Sequence, residues 1–509
     1  ILRALTCVQT GGTTLSSRLA TLLASLLLAS AVAPVAARAE NPAAVAPTPL
    51  RAETRHVGRF NGQEVRYRAV VAETLLQDRS GAPAAVVVTT AYLREDAEPA
   101  AARPVMFIFN GGPGASTTPL HFGAFGPMRR LGQGAGQVMV ANPDSPLDAV
   151  DLVFIDPVGT GYSRPLAGHD GQAFWSRSGD AASVSQVIAD WLTTHGREAS
   201  PRYLLGQSYG TTRAALVVRQ GQVKFDGVLL FALVGNVDGL EMPYVTSLPS
   251  FATVAWWHEK IDRAGRSAEQ VYAEAVAFAR TDYVQALIRG ASLPAAQREA
   301  LAQRMSALIG LPAQLILAKD LRLSNDDFMF NLLADQGLRT GQLDGRATAR
   351  LDAPPQRPPM DDPGLNFSLE PAPAASAAPP AVSGIAAQSR EPAALEAYFR
   401  DTLGFDAPVT YNSLTLDVNA AWDHEGFADA NRFLGEAMQA DPGLRLFWAS
   451  GLFDLTTPAY RGRYVLDQSG APPERLTHAQ FSGGHSVFTE EANRQALAQA
   501  VRDFVRPKE

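Results

Sequence analysis

The stretch Tyr203-Leu-Leu-Gly206-Gln-Ser208-Tyr-Gly210-Thr211 decides how this chain is read. Tyr203 to Leu205 is a short apolar run, a helix-compatible sequence begins at Thr211, and two glycines bracket a serine between them. Strand, sharp turn and helix in that order lift a serine hydroxyl above a sheet, because glycine lets the backbone turn that tightly. Outside such a setting the five residues are a turn with an inert serine, so the surroundings carry the argument.

Working outward, apolar runs recur at Val105 to Phe109, Leu152 to Ile155, Val228 to Val234 and Leu444 to Trp448. Apart from Arg445 they are uninterrupted, the pattern of strands buried on both faces of a parallel sheet. Val184, Val187, Ile188, Trp191 and Leu192 fall at helical spacing ahead of Tyr203, with Asp180 or Ser178 available as a cap. Strand, helix and strand make a crossover unit. Glu64 to Ala72 and Ala85 to Leu93 read as antiparallel strands flanking the same sheet.

From about residue 241 to 425 the texture changes. Ala268 to Ala279 and Ala295 to Leu308 are Ala-rich and helical, and no buried-strand signal appears. The expectation is an α/β fold with a central, mostly parallel sheet flanked by helices, its sheet domain split into residues 40–240 and 426–509 by a mainly helical cap, 241–425. Inside the cap, 354–392 holds 10 of the chain's 35 prolines and reads as a disordered or extended loop. Trp256, Trp257 and Tyr244 read either as pocket walls or as core aromatics.

A serine on such an elbow needs an acid and then a histidine later in the chain. Asp454 lies just past the Leu444 run, and His485 follows in Phe481-Ser-Gly-Gly-His485. The histidine would take the Ser208 proton and the carboxylate would hold its tautomer. Taken singly, Asp454 reads equally as a helix cap and His485 as a loop histidine; His478, His424 and His258 are rivals, but none follows glycines in this way. Upstream, Asn110-Gly111-Gly112-Pro113-Gly114 ends another strand. Its unshielded N–H groups, with that of Tyr209, would face a developing oxyanion. A phosphate loop is not supported, because no Lys-Ser/Thr follows.

Of the 509 residues, 46% are hydrophobic and 19% charged, an ordinary globular composition. A net charge of −7 offers no basic field for a phosphate backbone, so nucleic acid is not an expected partner. The one cysteine, Cys7, excludes an intramolecular disulfide framework and a Cys-rich metal site, and no cofactor or metal is expected. Arg3 and Arg18, the uncharged run Leu19 to Val32 and Ala37-Arg38-Ala39 read as a secretory signal over 1–39, with an uncleaved anchor as the alternative. Its removal takes away three arginines and no acid, leaving −10. The mature protein is expected to be exported, periplasmic or extracellular, without stable membrane association; nothing indicates an oligomeric state.

Together, Asn110-Gly-Gly-Pro-Gly-Ala-Ser116, Leu152-Val-Phe-Ile-Asp156-Pro-Val-Gly-Thr-Gly-Tyr-Ser163, Gly206-Gln-Ser-Tyr-Gly210 and the surroundings of Asp454 and His485 resemble the serine carboxypeptidase family. The missing cysteines suggest a bacterial exported branch. The resemblance implies an α/β-hydrolase fold that removes residues from peptide C-termini through an acyl-enzyme. It assigns Ser208, Asp454 and His485 as triad and the N–H groups of Gly112 and Tyr209 as oxyanion hole. Family members carry Glu before the nucleophile and a second Glu downstream of the glycine loop, sharing a proton over the substrate carboxylate. Here those positions hold Gln207 and Ala124. Asn110 and Gln207 are therefore expected to bind the carboxylate, helped by Arg213 or Arg129, and to do so at neutral pH, since an amide donates at any pH. An esterase, acyltransferase or aminopeptidase on the same fold is the alternative, and a silent binding protein a third reading.

Overall fold

The computed structural model describes residues 48–509 except 79, 97–101, 133–136, 238, 367–392, 427–428 and 507–509. The expected signal segment and most of the Pro/Ala-rich stretch lie outside the described residues. Nine strands form the main path of a ten-stranded sheet. They are β1 (Arg51–Phe60), β2 (Gln63–Gln77), β3 (Pro83–Arg94), β4 (Val105–Phe109), β5 (Asp151–Asp156), β6 (Arg202–Gln207), β7 (Gly227–Phe231), β8 (Arg445–Gly451) and β9 (Leu476–Phe481). Their spatial order is β1-β2-β3-β5-β4-β6-β7-β8-β9, with Arg164–Pro165 pairing β3. The pairs from β1 to β5 are antiparallel and those from β5 to β9 parallel. This is the α/β-hydrolase arrangement, with its mostly parallel sheet flanked by helices.

Successive side chains of the parallel strands alternate between two cores, as strand geometry requires. Tyr203, Leu205, Leu229, Phe231, Phe447 and Ala449 enter one cluster, covered by Glu491–Val505 and by Leu395, Tyr398, Phe399 and Tyr411. Leu204, Val228, Leu230, Leu446 and Trp448 enter the other, covered by α1 (Arg177–His195), α2 (Tyr209–Gln220) and Ala430–Ala440. The uninterrupted apolar runs follow from burial on both sides. α1 is capped by neither Asp180 nor Ser178. The cap is Ser176, whose hydroxyl accepts from Gly179 N. Asp180 is instead turned inward onto Arg213 at 2.7 Å, because a buried guanidinium needs its charge met.

The chain leaves β4 toward β5 and returns on the other side of β4 as β6, so the strand order reverses between β4 and β6. A crevice opens at such a switch point, outside the carboxyl ends of the strands. The register brings those ends to one edge: Phe109 pairs with Gly206, Gln207 with Phe231, Phe231 with Ala449 and Gly451 with Phe481.

A third apolar cluster belongs to the cap helices, chiefly Met242–Trp257, Ala268–Phe278 and Ala295–Ile309. Trp256, Trp257 and Tyr244 pack against it as core aromatics. The cap also carries a hairpin, Leu338–Thr340 paired with Thr348–Arg350. Of the Pro/Ala-rich stretch, residues 354–366 are described; they include the short turn Pro363–Asn366 and Arg357, which donates to Leu416 O at 2.8 Å. Among the described residues no helix is long and apolar enough to cross a membrane.

Candidate active site

Ser208 sits between β6 and α2 with φ 59° and ψ −131°, a backbone conformation that non-glycine residues rarely hold. Its N–H donates to Phe231 O at 2.9 Å, and its carbonyl accepts from Thr211 N and Thr211 Oγ1. The flanking glycines are required. A Cβ on Gly206 would lie 2.1 Å from Gly210 O, and one on Gly210 would lie 2.9 Å from Asn110 O. Within Gly206 to Gly210, Ser208 alone is not fully buried.

The Asn110–Ala115 loop lies directly on this elbow. A Cβ on Gly111 would sit 2.4 Å from Tyr209 N, so the Gly111-Gly112 backbone runs against the first N–H of α2. Gly112 is exposed, with φ +96°. The loop is held from outside by residues 413–419: Thr415 N donates to Gly114 O at 2.8 Å, Ser116 N to Ser413 O at 2.8 Å and Asn419 Nδ2 to Pro113 O at 3.1 Å. Asp156 holds it from beneath, accepting from Thr117 N, Thr117 Oγ1 and Tyr411 Oη. Burial pushes the Asp156 carboxyl up, against the pull of those donors. This gives the Leu152 to Ser163 motif a structural task. Ser163 Oγ, for its part, bridges Asp156 O and Val88 N.

Asp454 is fully buried just past β8. Its carboxylate accepts from Thr456 N at 2.8 Å, Thr457 N at 3.0 Å, Thr457 Oγ1 and His485 Nδ1 at 2.8 Å. A carboxylate only accepts, so Nδ1 carries the hydrogen and Nε2 is left as the basic nitrogen. Burial of the ring opposes its charged form, but the charge and hydrogen bond of Asp454, with a further contribution from Asp362, outweigh it and raise the imidazole above its ordinary range. The rival histidines are elsewhere engaged or exposed. His478 stacks on Trp448 at 3.8 Å, His258 donates to Gly345 O at 2.8 Å and His424 is exposed.

Gln207 joins the two sides of the cleft. Its Oε1 accepts from Asn110 Nδ2 at 2.6 Å, and its Nε2 donates to His485 O at 3.0 Å and Ser486 Oγ at 3.2 Å. Each polar atom of the Gln207 side chain thus has a partner within the protein. Asn110 spends one amide hydrogen on Gln207 and accepts from Leu120 N on Oδ1. Arg213 is buried, paired with Asp180, donates to Asn110 O and lies 5.2 Å over both the Phe109 and Tyr209 rings. It therefore supports the loop from below. Arg129 lies on the hairpin Met128–Leu131/Val138–Ala141, and Ala124 is buried within Leu120–Phe125.

Sequence reasoning missed Thr457, which bonds the acid and lies 3.3 Å from His485 Nδ1. Aspartate is a turn former whose side chain bonds the backbone two residues on, here at Thr456 N. It also missed Trp422, Val418 and Trp175, which pack in a small apolar cluster with Tyr209, next to Ser208 in the chain.

Residues 92–219 match the family model of serine carboxypeptidases. The match takes in the glycine loop, Asp156 and Ser208, and ends before Asp454 and His485. Serine carboxypeptidase-like 36 of Arabidopsis thaliana is 31% identical over 126 residues, 23% of this chain and 24% of that protein, so the likeness spans about a quarter of the curated relative. Among solved structures, Kex1Δp, a prohormone-processing carboxypeptidase of Saccharomyces cerevisiae, has a TM-score of 0.52 at 15% identity, covering 86% of this chain and 91% of that one. That last likeness is one of fold.

Proposed function

We propose that this protein is an exported serine-type carboxypeptidase, periplasmic or extracellular, that hydrolyses C-terminal residues of peptides through an acyl-enzyme. One observation carries the reading: the residue beside the strained serine, Gln207, is bonded to the backbone of the same histidine whose Nδ1 is held by a buried aspartate. Ser208 Oγ attacks the scissile carbonyl and gives its proton to His485 Nε2. Asp454 stabilises the imidazolium, and the N–H groups of Gly112 and Tyr209 receive the oxyanion. The imidazolium then protonates the leaving amine, and water repeats the sequence on the ester.

For the substrate's terminal carboxylate, the remaining amide hydrogen of Asn110 is the donor at hand. Gln207 joins it only by giving up a bond to His485 O or Ser486 Oγ. That same engagement favours the second reading, an esterase, acyltransferase or aminopeptidase that needs no free carboxylate. Three substrates separate them: a peptide with a free C-terminus, its C-terminal amide and an N-terminally blocked copy. Release from the first and third with little from the amide is the expected result. Equal turnover of the amide supports the second reading, and resistance of the blocked copy alone points to an aminopeptidase.

A further inference from the structure

The turn of the cap hairpin touches both loops of the Asp454–His485 pair. Gln342 O accepts from Leu455 N at 3.0 Å, Gly345 N donates to Phe453 O at 2.8 Å, and Leu343 O accepts from His485 N at 2.7 Å. Leu452, Phe453 and Leu455, on either side of the acid, belong to the apolar core of the cap and not to those of the sheet. Asp344 is packed so closely under the histidine loop that a Cβ on Gly484 would lie 2.4 Å from its carboxylate. Arg346 donates to Ser482 O at 3.2 Å and pairs with Asp344 and Glu490 at 2.7 and 2.6 Å. The peptide of His485 is thus pinned at both ends, its N–H by the cap and its carbonyl by Gln207.

Besides the bonds of Asp344 with Arg346 and Ala347, one side chain from outside the turn holds it. The Asp362 carboxylate accepts from Gln342 N at 3.0 Å, Leu343 N at 2.9 Å and Gly364 N at 2.7 Å. We propose that Asp362 is a positioning residue for His485: it fixes the turn 342–345, and the turn holds the histidine loop in register with Asp454 and the serine elbow. The proposal rests on the reading of His485 as the base of Ser208. A carboxylate fits this task because it presents only acceptors to three converging N–H donors. The charged groups around His485 are Asp454 from the acid loop, Asp344, Arg346 and Asp362 from the cap, and Glu490 from the start of the last helix; Arg461 lies near Asp454. Asp362 also adds negative charge that favours the imidazolium, behind the contribution of Asp454.

The test is Asp362→Asn, which turns one oxygen into a donor facing donors and removes the charge. With the best substrate of the preceding comparison, kcat at pH 8 is expected to fall about ten- to a hundredfold, the range that small misplacements of a reacting group produce. KM should stay within about twofold. The rate of Ser208 labelling by a fluorophosphonate should fall in parallel, and the acid limb of kcat/KM should move to lower pH. Asp362→Glu, which keeps the charge, should return that limb toward its original position. A folded Asp362→Asn enzyme with unchanged kcat, labelling rate and acid limb overturns the proposal, even if its melting temperature drops. Should the variant fail to fold, hydrogen exchange on the intact protein decides: the amides of residues 342–345, 455 and 485 should open as one unit, and independent opening of Leu343 and His485 overturns it. A wild-type protein that the probe does not label at Ser208 overturns the serine-hydrolase reading and this proposal with it, whereas normal labelling of Asp362→Asn overturns the proposal alone.

Discussion

On the serine side of the cleft, the parts sit at the ends of two adjacent strands. Gly206 to Gly210 and Asn110 to Ala115 close on each other because the register of β4 and β6 places Phe109 beside Gly206 and because no side chain fits at Gly111 or Gly206. On the acid and base side, 31 residues separate Asp454 from His485, and the contacts that hold their loops come from a hairpin more than a hundred residues earlier. Close backbone packing shapes the first half, with residues 413–419 bonded across its glycine loop, whereas the loops of the second take their backbone hydrogen bonds from the cap hairpin. The difference teaches where each half can be damaged: the first by changing a residue, the second by moving a neighbour.

The strongest test of the serine half is Ser208→Ala, expected to lower kcat by about 10⁶-fold and to abolish fluorophosphonate labelling in a protein of normal melting temperature. On the other half, Asp454→Asn should leave the fold intact yet cost about 10⁴ in kcat, since the imidazole is then held in the wrong tautomer. Comparable activity in that variant would mean that the pair at 2.8 Å is structural. Arg213→Met probes the support beneath the glycine loop by stranding Asp180, and a loss of about 3–5 kcal/mol in urea unfolding is expected for breaking so deeply buried a pair.

The pH profile compares the halves directly. His485 must be neutral to act as base and its pKa is raised, so kcat/KM should climb through an apparent pKa above the usual value of about 6.5 and fall tenfold per unit below it. The sign for stability is the reverse. The paired imidazolium contributes most below its unfolded pKa, and that contribution is lost as pH rises from about 6.5 through the raised folded value. An activity confined to acid pH would contradict the assignment. The smallest effect is expected from Gln207→Glu, whose carboxylate cannot donate to His485 O once ionised. At pH 8 its activity should be about fivefold below that of the wild type, the equivalent of one net hydrogen bond, and the ratio of the two should return toward one as the new carboxyl is protonated near pH 5.

What was legible in the sequence follows the same division. The parallel strands showed as uninterrupted apolar runs because both their faces are buried, and the elbow showed because glycines were indispensable to it. β1 escaped notice because its residues are exposed or only part-buried until Phe60, and β9 because Thr477 and His478 face solvent at the sheet edge. The cap of α1 was placed on residues that look like caps, whereas Ser176 took the task and Asp180 went to a buried cation. Ser208, Asp454 and His485 were singled out from their order and flanking glycines, and the last two lie 2.8 Å apart in the structure. The engagement of Gln207 and the contacts of residues 342–345 were not legible: the first depends on which groups the fold brings to one amide, and the second are backbone hydrogen bonds, which leave no trace in residue type.

The hairpin at residues 338–350 bears on the modularity of the protein. Caps on sheet folds are commonly regarded as exchangeable lids that tune which molecules enter. Here the lid supplies the apolar bed of the acid loop and a hydrogen-bond acceptor for the histidine backbone. On the proposed reading, exchanging this segment would remove backbone hydrogen bonds of the Asp454 and His485 loops together with the cap itself.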